Sequence, residues 1–444
     1  MTYDQALAYW YGRIDFERKS PQASDMKLDR MKAVLRHLGD PQRHLRIIHV
    51  AGTKGKGSTS AILASVLRTA GYRVGLFTSP HLSDVAERIQ VDGTPISREE
   101  LAVRMAEIAS ALRPLEEAGD PRLVPTFFEI GTALGFLHFV CRRVEVAIVE
   151  VGLGGRFDST NVVTPLVSVI TNISFDHMAL LGDKLALIAR EKAGIIKRRR
   201  PVVATVEAPE ALAVIEKIAA ERKAPLTALG RDFQFDYRPG RLGSQLPQLR
   251  VSTSKRQWAW MSLGLFGQHQ SANAAGVVAV IERLREIGLP IDDLAVSRGL
   301  QNVVWPARLE VVGQRPLILL DCAHNVASAQ ALVDTLADSF VLSGKKRLVV
   351  AISNDKQVSE MLQLLGPRFD HFYLTRYANN PRCMAPEQIA DLLATVCPNA
   401  SVSFYLVASA ALRQAQFDSQ PDDLIAITGS VFLAGELRPL LVPS

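Results

Sequence analysis

An alternation that begins near residue 45 limits the folds open to this 444-residue chain more than any other feature. Short apolar, β-rich runs ("LRIIHVAG", "YRVGLFTSP", "VEVAIVEVG", "LVSVITNI") are separated by helical patterns over 57–70, 98–114 and 126–141. Strands that are apolar throughout need cover on both faces, and helices placed between them supply it by crossing over a parallel sheet. A more polar, strand-like stretch around 226–265 breaks the rhythm and predicts an antiparallel addition. After "VVWPARLEVV" the alternation restarts with "PLILLD", a helix over 325–339, "RLVVAIS", a helix near 357–366, "HFYLT", a helix near 386–396, "SVSFYLV" and "LIAIT". The expectation is an α/β chain of two domains, 1–304 and 305–444, divided near Trp305 and Pro306.

Composition narrows the partners. With 48% hydrophobic and 22% charged residues, the chain can bury a large core. Its formal charge of +6 suits a polyanionic small substrate. No long basic tract is present, so nucleic acid is not expected; the one run, Lys197 to Arg200, reads as a solvated turn. No segment offers about 18 uncharged apolar residues in succession, so no membrane span is expected. Cys141, Cys322, Cys383 and Cys397 form no C-x-x-C pair and no zinc spacing, which suits free thiols in a reducing, cytoplasmic setting.

The loop "AGTKGKGST" follows an apolar strand and opens a helix, the setting in which backbone N–H groups and a helix N-terminus hold phosphate. It departs from the Walker A spelling because Gly57 separates Lys56 from Ser58. Gly52, Gly55 and Gly57 allow close backbone approach, Lys56 supplies a point charge for the β- and γ-phosphates, and Ser58 supplies a hydroxyl for a metal. Lys54 adds further charge. The first domain is therefore expected to be a P-loop parallel-sheet ATPase domain and the second a smaller Rossmann-like α/β domain.

"VAIVEVGLGGRFDSTN" delivers Glu150 at the end of a buried strand, where a metal bound to triphosphate would find an oxygen ligand. An acid in that position also occurs as a purely structural group. The same stretch is not a dinucleotide fingerprint, since Phe157 stands where the last glycine would fall. "TNISFDHMALLGDKLALIAREKAGIIK" then places Asp176, His177, Glu191 and Lys192 after another buried strand. Taken singly, His177 reads equally as a hydrogen-bonded structural histidine and Lys192 as a snorkelling lysine.

The ordered set "AGTKGKGS", "TSPHL", "ERIQVDG", "FFEIGTALGF", "EVGLGGRFDSTN", "TNISFDH", "EKAGIIK", "PARLE", "DCAHN" and "ITGSVFLAGE" resembles folylpolyglutamate synthases and the bifunctional dihydrofolate synthases of the Mur ligase superfamily. The loop spelling is the form used in that superfamily. Cell-wall Mur ligases carry a nucleotide-sugar domain ahead of this loop, whereas 51 residues precede Gly52 here, which points to the folate branch.

The resemblance implies an ATP-dependent ligase that joins L-glutamate to folate, or to dihydropteroate, through an acyl phosphate. It implies that Ser79, Glu150 and His177 hold Mg2+ against ATP, with Mn2+ able to substitute, and that Lys192 is carbamylated into a carboxylate-like ligand. Carbamylation requires a neutral amine, which burial or nearby positive charge would favour. By the same resemblance, Arg308 reaches the phosphates, Asp321 and His324 meet the ribose and adenine side, Asn273 meets adenine, and the second domain closes over the nucleotide. Asn273 reads otherwise as a polar helix residue, and Asp321 and Asn325 as helix caps. For the pteridine and benzoyl groups we expect Thr126, Phe127, Arg156 and Asp158, an aromatic wall with a few polar groups.

Cys322, Val326 and Ala307 depart from the D-G-A-H-N-P and P-G-R spellings common in relatives, which bears on local backbone geometry more than on activity. The chain is expected to act as a monomer. Two other readings stand beside this one: a ligase of the same fold acting on another acyl substrate, and a nucleotide-binding protein without catalysis. The presence of Lys56, Glu150, His177, Lys192 and Arg308 together argues against the last.

Overall fold

The strands nearest the phosphate loop are buried along their whole length, as two-sided cover requires. The computed structural model describes residues 1–15, 27–117, 124–341, 344–378 and 380–442. Strands β1 (Ile47–Ala51), β2 (Val74–Phe77), β3 (Ile89–Val91), β4 (Thr94–Pro95), β5 (Val146–Glu150), β6 (Val167–Ile170), β7 (Val202–Ala204) and β8 (Leu226–Ala228) form one sheet in the order β4-β3-β2-β5-β1-β6-β7-β8. Pairing is parallel from β2 through β8. The exception is an edge hairpin: β3 runs antiparallel to both β2 and β4. Its turn is Asp92–Gly93 with φ of 54° and 83°, the Asp-Gly pair that a tight hairpin favours.

Helices pack on both faces. One face carries the helices Tyr3–Tyr11, Arg98–Glu117 and Phe127–Cys141 around Trp10, Met105, Phe136 and Phe139. Further along the sheet the same face carries Leu185–Lys192 and Pro209–Glu221 around Ile188, Ile196 and Ile215, and the helix Lys56–Thr69 covers the opposite face. Parallel register brings strand ends to one edge: Val50 lies opposite Glu150 and Ala51 opposite Ile170.

The polar stretch after β8 forms a separate sheet of β9 (Phe233–Arg238), β10 (Gln248–Thr253) and β11 (Met261–Ser262). By contact density the chain divides into two units. The first comprises Met1–Asp236, Arg250–Met261 and Ala272–Asn302; the second comprises Tyr237–Leu249, Ser262–Ser271 and Val303–Ser444.

The second unit is built on β12 (Glu310–Gln314), β13 (Leu317–Leu320), β14 (Lys346–Val350), β15 (His371–Leu374), β16 (Ser401–Phe404) and β17 (Leu424–Thr428), ordered β12-β13-β17-β14-β15-β16. All pairs are parallel except β12 with β13. The helices Val326–Ser339, Val358–Leu365 and Pro386–Val396 match the three expected spans within a residue or two. Among the described residues, no helix is long and apolar enough to cross a membrane.

Candidate functional site

Gly55 has φ of 83° and forms the N-cap of the helix Lys56–Thr69. A Cβ there would lie 2.4 Å from Asn273 Oδ1, so both backbone conformation and space demand glycine. This places the Asn273 carboxamide against the loop. The first N–H groups of the helix have no intrahelical partner, and together with the helix dipole they make the junction a site for an anion.

The loop is braced from β6. Thr171 Oγ1 donates to Lys54 O at 2.6 Å, Thr53 N donates to Asn172 O at 2.7 Å, and Thr53 Oγ1 donates to Ser174 O at 3.1 Å. A Cβ on Gly52 would fall 1.7 Å from Thr171 Oγ1. These bracing residues were not singled out in the sequence; "TNIS" directly after a buried strand was the available signal.

Charge is concentrated at Gly52. Lys56 Nζ donates to its carbonyl oxygen at 3.2 Å, and Lys192 Nζ donates to the same oxygen at 2.9 Å. Burial, reinforced by Lys56, lowers the Lys192 amine from its ordinary value to about 7. Lys54 Nζ meets Asp176 Oδ2 at 3.0 Å. His177 sits at φ of 50°, with its N–H donating to Asp176 Oδ1 at 3.0 Å and its ring exposed.

Glu150 is 3% exposed at the end of β5, and its Oε2 accepts from Ser79 N at 3.3 Å. The structure thus joins "TSPH" to the strand-end carboxylate. Ser58 is buried two residues into the helix that the loop opens. Among the described residues no three His, Cys, Asp or Glu side chains gather into a metal cage. A buried carboxylate with nearby hydroxyls still suits Mg2+, which takes one or two carboxylates and completes its shell with water and substrate phosphate oxygens.

The residues expected around the pteridine divide sharply. Phe127 is core: its ring stacks on Trp10 at 5.1 Å, its carbonyl accepts from Trp10 Nε1 at 2.8 Å, and Arg88 lies 5.2 Å from the ring centre. Thr126 caps the same helix, exchanging hydrogen bonds with Glu129, which also accepts from Arg30 Nε at 2.6 Å. The neighbouring Phe128 is partly exposed and lies over Gly152, where a Cβ would come within 2.5 Å of its ring. The helix directs Phe127 inward and leaves Phe128 as the aromatic group beside the glycine turn.

Asp158 is an internal brace. Its oxygens accept from Leu153 N at 2.9 Å, Thr160 N at 3.0 Å and Thr160 Oγ1 at 2.5 Å, while burial pushes its carboxyl upward. Behind it, His49 Nε2 and Thr160 Oγ1 are 2.8 Å apart. Because Thr160 spends its proton on Asp158, His49 donates from Nε2, and its buried Nδ1 finds no partner among the described residues. Burial holds this imidazole near 3, hence neutral. Arg156 is half exposed, with its guanidinium 4.7 Å from the Phe157 ring centre and 3.8 Å from Glu191.

In the second unit, Arg308 lies between two left-handed residues, Ala307 at φ of 53° and Leu309 at 49°. Asp321 Oδ2 accepts from Leu309 N at 3.0 Å and Oδ1 from Ala323 N at 2.8 Å. Burial raises the Asp321 carboxyl against the pull of Arg308. Glu310 Oε2 accepts from Ala307 N at 2.8 Å, and Arg438 grips Glu310 with contacts of 2.8 and 3.0 Å. His324 Nδ1 donates to Cys322 O at 2.8 Å, while Asn325 caps the helix Val326–Ser339 through Ser328. The sequence also passed over His269, which burial, reinforced by Arg308, lowers to about 4 and so holds neutral.

Comparison with known proteins agrees with this architecture. The Mur ligase middle domain matches residues 50–281 and the Mur ligase glutamate ligase domain residues 307–431. The dihydrofolate synthase/folylpolyglutamate synthase of Bacillus subtilis is 36% identical over 442 residues, covering 99% of each chain. Folylpolyglutamate synthase of Mycobacterium tuberculosis, solved with ADP and AMPPCP, superimposes with a TM-score of 0.86 at 32% identity, over 100% of this chain and 98% of that one. Escherichia coli FolC, solved with DHPP and ADP, gives 0.85 at 28% identity over 99% and 97%. The chain belongs to the folylpolyglutamate synthase and dihydrofolate synthase family of the Mur ligase superfamily.

Proposed function

We propose that this protein is an ATP-dependent carbon–nitrogen ligase that adds L-glutamate to folates, with dihydropteroate as a second acceptor. The convergence of Lys56 and Lys192 on Gly52, beside a helix N-terminus, carries this reading. In the reaction a substrate carboxylate attacks the γ-phosphorus of ATP, giving an acyl phosphate and ADP. The amino group of glutamate then attacks the acyl carbon, and phosphate leaves.

The chain's own work is positioning and charge neutralisation, which phosphoryl transfer chiefly needs. The loop N–H groups and Lys56 hold the phosphates, and the contact of Asn273 with Gly55 fixes the loop. Lys54 and Asp176 pair at the loop's edge, where His177 also sits. Ser58, Ser79, Glu150, His177 and a carbamylated Lys192 would hold Mg2+, which when bound neutralises phosphate charge. Lys192 meets the condition for carbamylation, since at about 7 a substantial fraction of its amine is neutral near physiological pH. We assign Arg308, Asp321 and His324 of the second unit to nucleotide contacts, and Arg156 to the acidic part of the substrate. The protein acts as a monomer in this reading, and its four free thiols suit a reducing, cytoplasmic setting.

The test is ADP release with ATP and glutamate, measured separately with tetrahydrofolate and dihydropteroate. Release with tetrahydrofolate supports the synthase reading, and release with dihydropteroate adds the second acceptor. Release with neither refutes the reading. The Bacillus subtilis relative is named for both activities, which supports dihydropteroate as the second acceptor.

A further inference from the structure

His49 is a fully buried titratable group that the proposed reaction does not use. It stands in the middle of β1, the strand that leads into the phosphate loop, and strand alternation puts it on the same sheet face as Ile47 and Ala51. On that face three hydrogen bonds run from it in series. His49 Nε2 donates to Thr160 Oγ1 at 2.8 Å, Thr160 Oγ1 donates to Asp158 Oδ1 at 2.5 Å, and Asp158 Oδ2 accepts from Leu153 N at 2.9 Å. The last bond closes the glycine turn 152–158 on itself. A hydroxyl carries a single proton and a carboxylate accepts, so the Asp158 end dictates the direction of every link. His49 can take part only as the Nε2–H tautomer, and burial and Lys197 oppose a second proton on its ring.

The turn so closed lies between two candidate metal ligands. It begins two residues after Glu150, the last residue of β5. At its far side Gly155 passes so close to the helix Leu185–Lys192 that a Cβ would fall 2.9 Å from Glu191 O and 3.0 Å from Lys192 Cα. Close packing of this kind transmits displacement, so moving the turn moves Glu150 or the Lys192 backbone. The path then returns to the strand it left. Lys192 Nζ donates to Gly52 O at 2.9 Å, and Gly52 is three residues after His49. Strand, turn and lysine thus form one closed circuit, in which the His49 proton is the link nearest the sheet centre.

We propose that His49 is a positioning residue for the ligase reaction: as a fixed proton donor to Thr160, it holds the glycine turn where Glu150 and Lys192 are correctly spaced for the phosphates. The inference rests on the function proposed above. A histidine that only filled space would serve through its bulk; here the direction of one proton matters more than volume.

Two measurements on the full chain test this. Nitrogen-15 spectra of histidine-labelled protein should show one imidazole protonated at Nε2 and bare at Nδ1, unchanged from pH 5 to pH 8. Steady-state ADP release with tetrahydrofolate is then compared across four variants. Thr160→Val and His49→Leu keep the bulk and lose the relayed proton. Thr160→Ser and His49→Gln alter the bulk and keep it, since the glutamine amide nitrogen can stand in for Nε2. The expected result is a kcat about tenfold lower in Thr160→Val and His49→Leu, the effect of one lost hydrogen bond, with the KM for ATP unchanged. Thr160→Ser and His49→Gln should recover kcat even where their thermal midpoints fall.

A kcat that follows the thermal midpoint across all four, wild-type kcat in Thr160→Val or His49→Leu, or an imidazole charged or protonated at Nδ1 overturns the positioning role while leaving the ligase reading intact. Should Thr160→Val and His49→Leu fail to fold, the other two decide: wild-type kcat in both supports the role, and a tenfold loss in either overturns it. Wild-type enzyme inactive on both tetrahydrofolate and dihydropteroate sinks the ligase reading and the positioning role with it.

Discussion

The ammonium groups of Lys56 and Lys192 meet at one acceptor, the carbonyl oxygen of Gly52, at 3.2 and 2.9 Å. Two like charges around one carbonyl are tolerable only if one amine readily gives up its proton. Lys192 is the one, because burial as well as Lys56 opposes its charge.

That arrangement fixes a pH dependence of stability. The folded-state value of Lys192 is about 7, below the ordinary 10.5 that it regains on unfolding. Between these values the unfolded chain binds the extra proton, so this residue makes stability rise with pH from about 7 to 10.5, and below 7 the penalty of the buried ammonium is fully present. Urea denaturation of wild type and Lys192→Met at pH 6 and pH 9 should show the variant gaining less between the two conditions, by on the order of 1 kcal/mol or more. Parallel behaviour would mean that Lys192 keeps a normal lysine affinity for protons in the fold.

Lys56→Ala should reduce folate- and glutamate-dependent ADP release by about 100-fold or more, the range seen when one preorganised group facing developing charge is removed. His177→Ala should also abolish that release if the ring serves at the metal. Because His177 is exposed, its removal should leave the thermal midpoint nearly unchanged. Wild-type turnover in either variant removes that residue from the proposed mechanism.

Gly55→Ala faces two obstacles, a left-handed φ of 83° and a Cβ only 2.4 Å from Asn273 Oδ1. The backbone alone costs about 1–2 kcal/mol. The variant should fold but lose nucleotide affinity, and the double variant Gly55→Ala, Asn273→Ala should recover part of the loss by relieving the overlap. Calorimetric titration with ADP checks both.

Ala307→Gly should stabilise the protein. Alanine at φ of 53° costs about 1–2 kcal/mol, against about 0.5–1 kcal/mol of extra chain entropy lost by glycine, which leaves a net gain of roughly 0.5–1 kcal/mol. Chemical denaturation reads this directly; a destabilised variant would show that the clasp around Glu310 already absorbs the strain.

The strand–helix alternation was legible because fully buried parallel strands read as unbroken apolar runs, and the phosphate loop because glycine and lysine stand at fixed places in it. Glu150 was legible from its place at the end of such a run. What escaped depends on direction in space. Phe127 and Phe128 are adjacent and chemically identical, and only the helix's orientation sends one into the core and the other to the glycine turn. The partners of Asp158, Thr160 and through it His49, are recognisable only once β1 is seen beneath the turn. Ala307 was noted as a departure from the glycine of relatives, and the fold keeps the left-handed backbone all the same.

The grip of Arg438 on Glu310 ties the last helix to the start of the second unit, since the same carboxylate secures the backbone one residue before Arg308. Trimming the chain ahead of residue 438 would leave the second unit's sheet complete yet untether its arginine. The closing turns of the sequence thus act as a remote anchor for a group some 130 positions earlier, and small changes at the tail end can displace Arg308 without touching it.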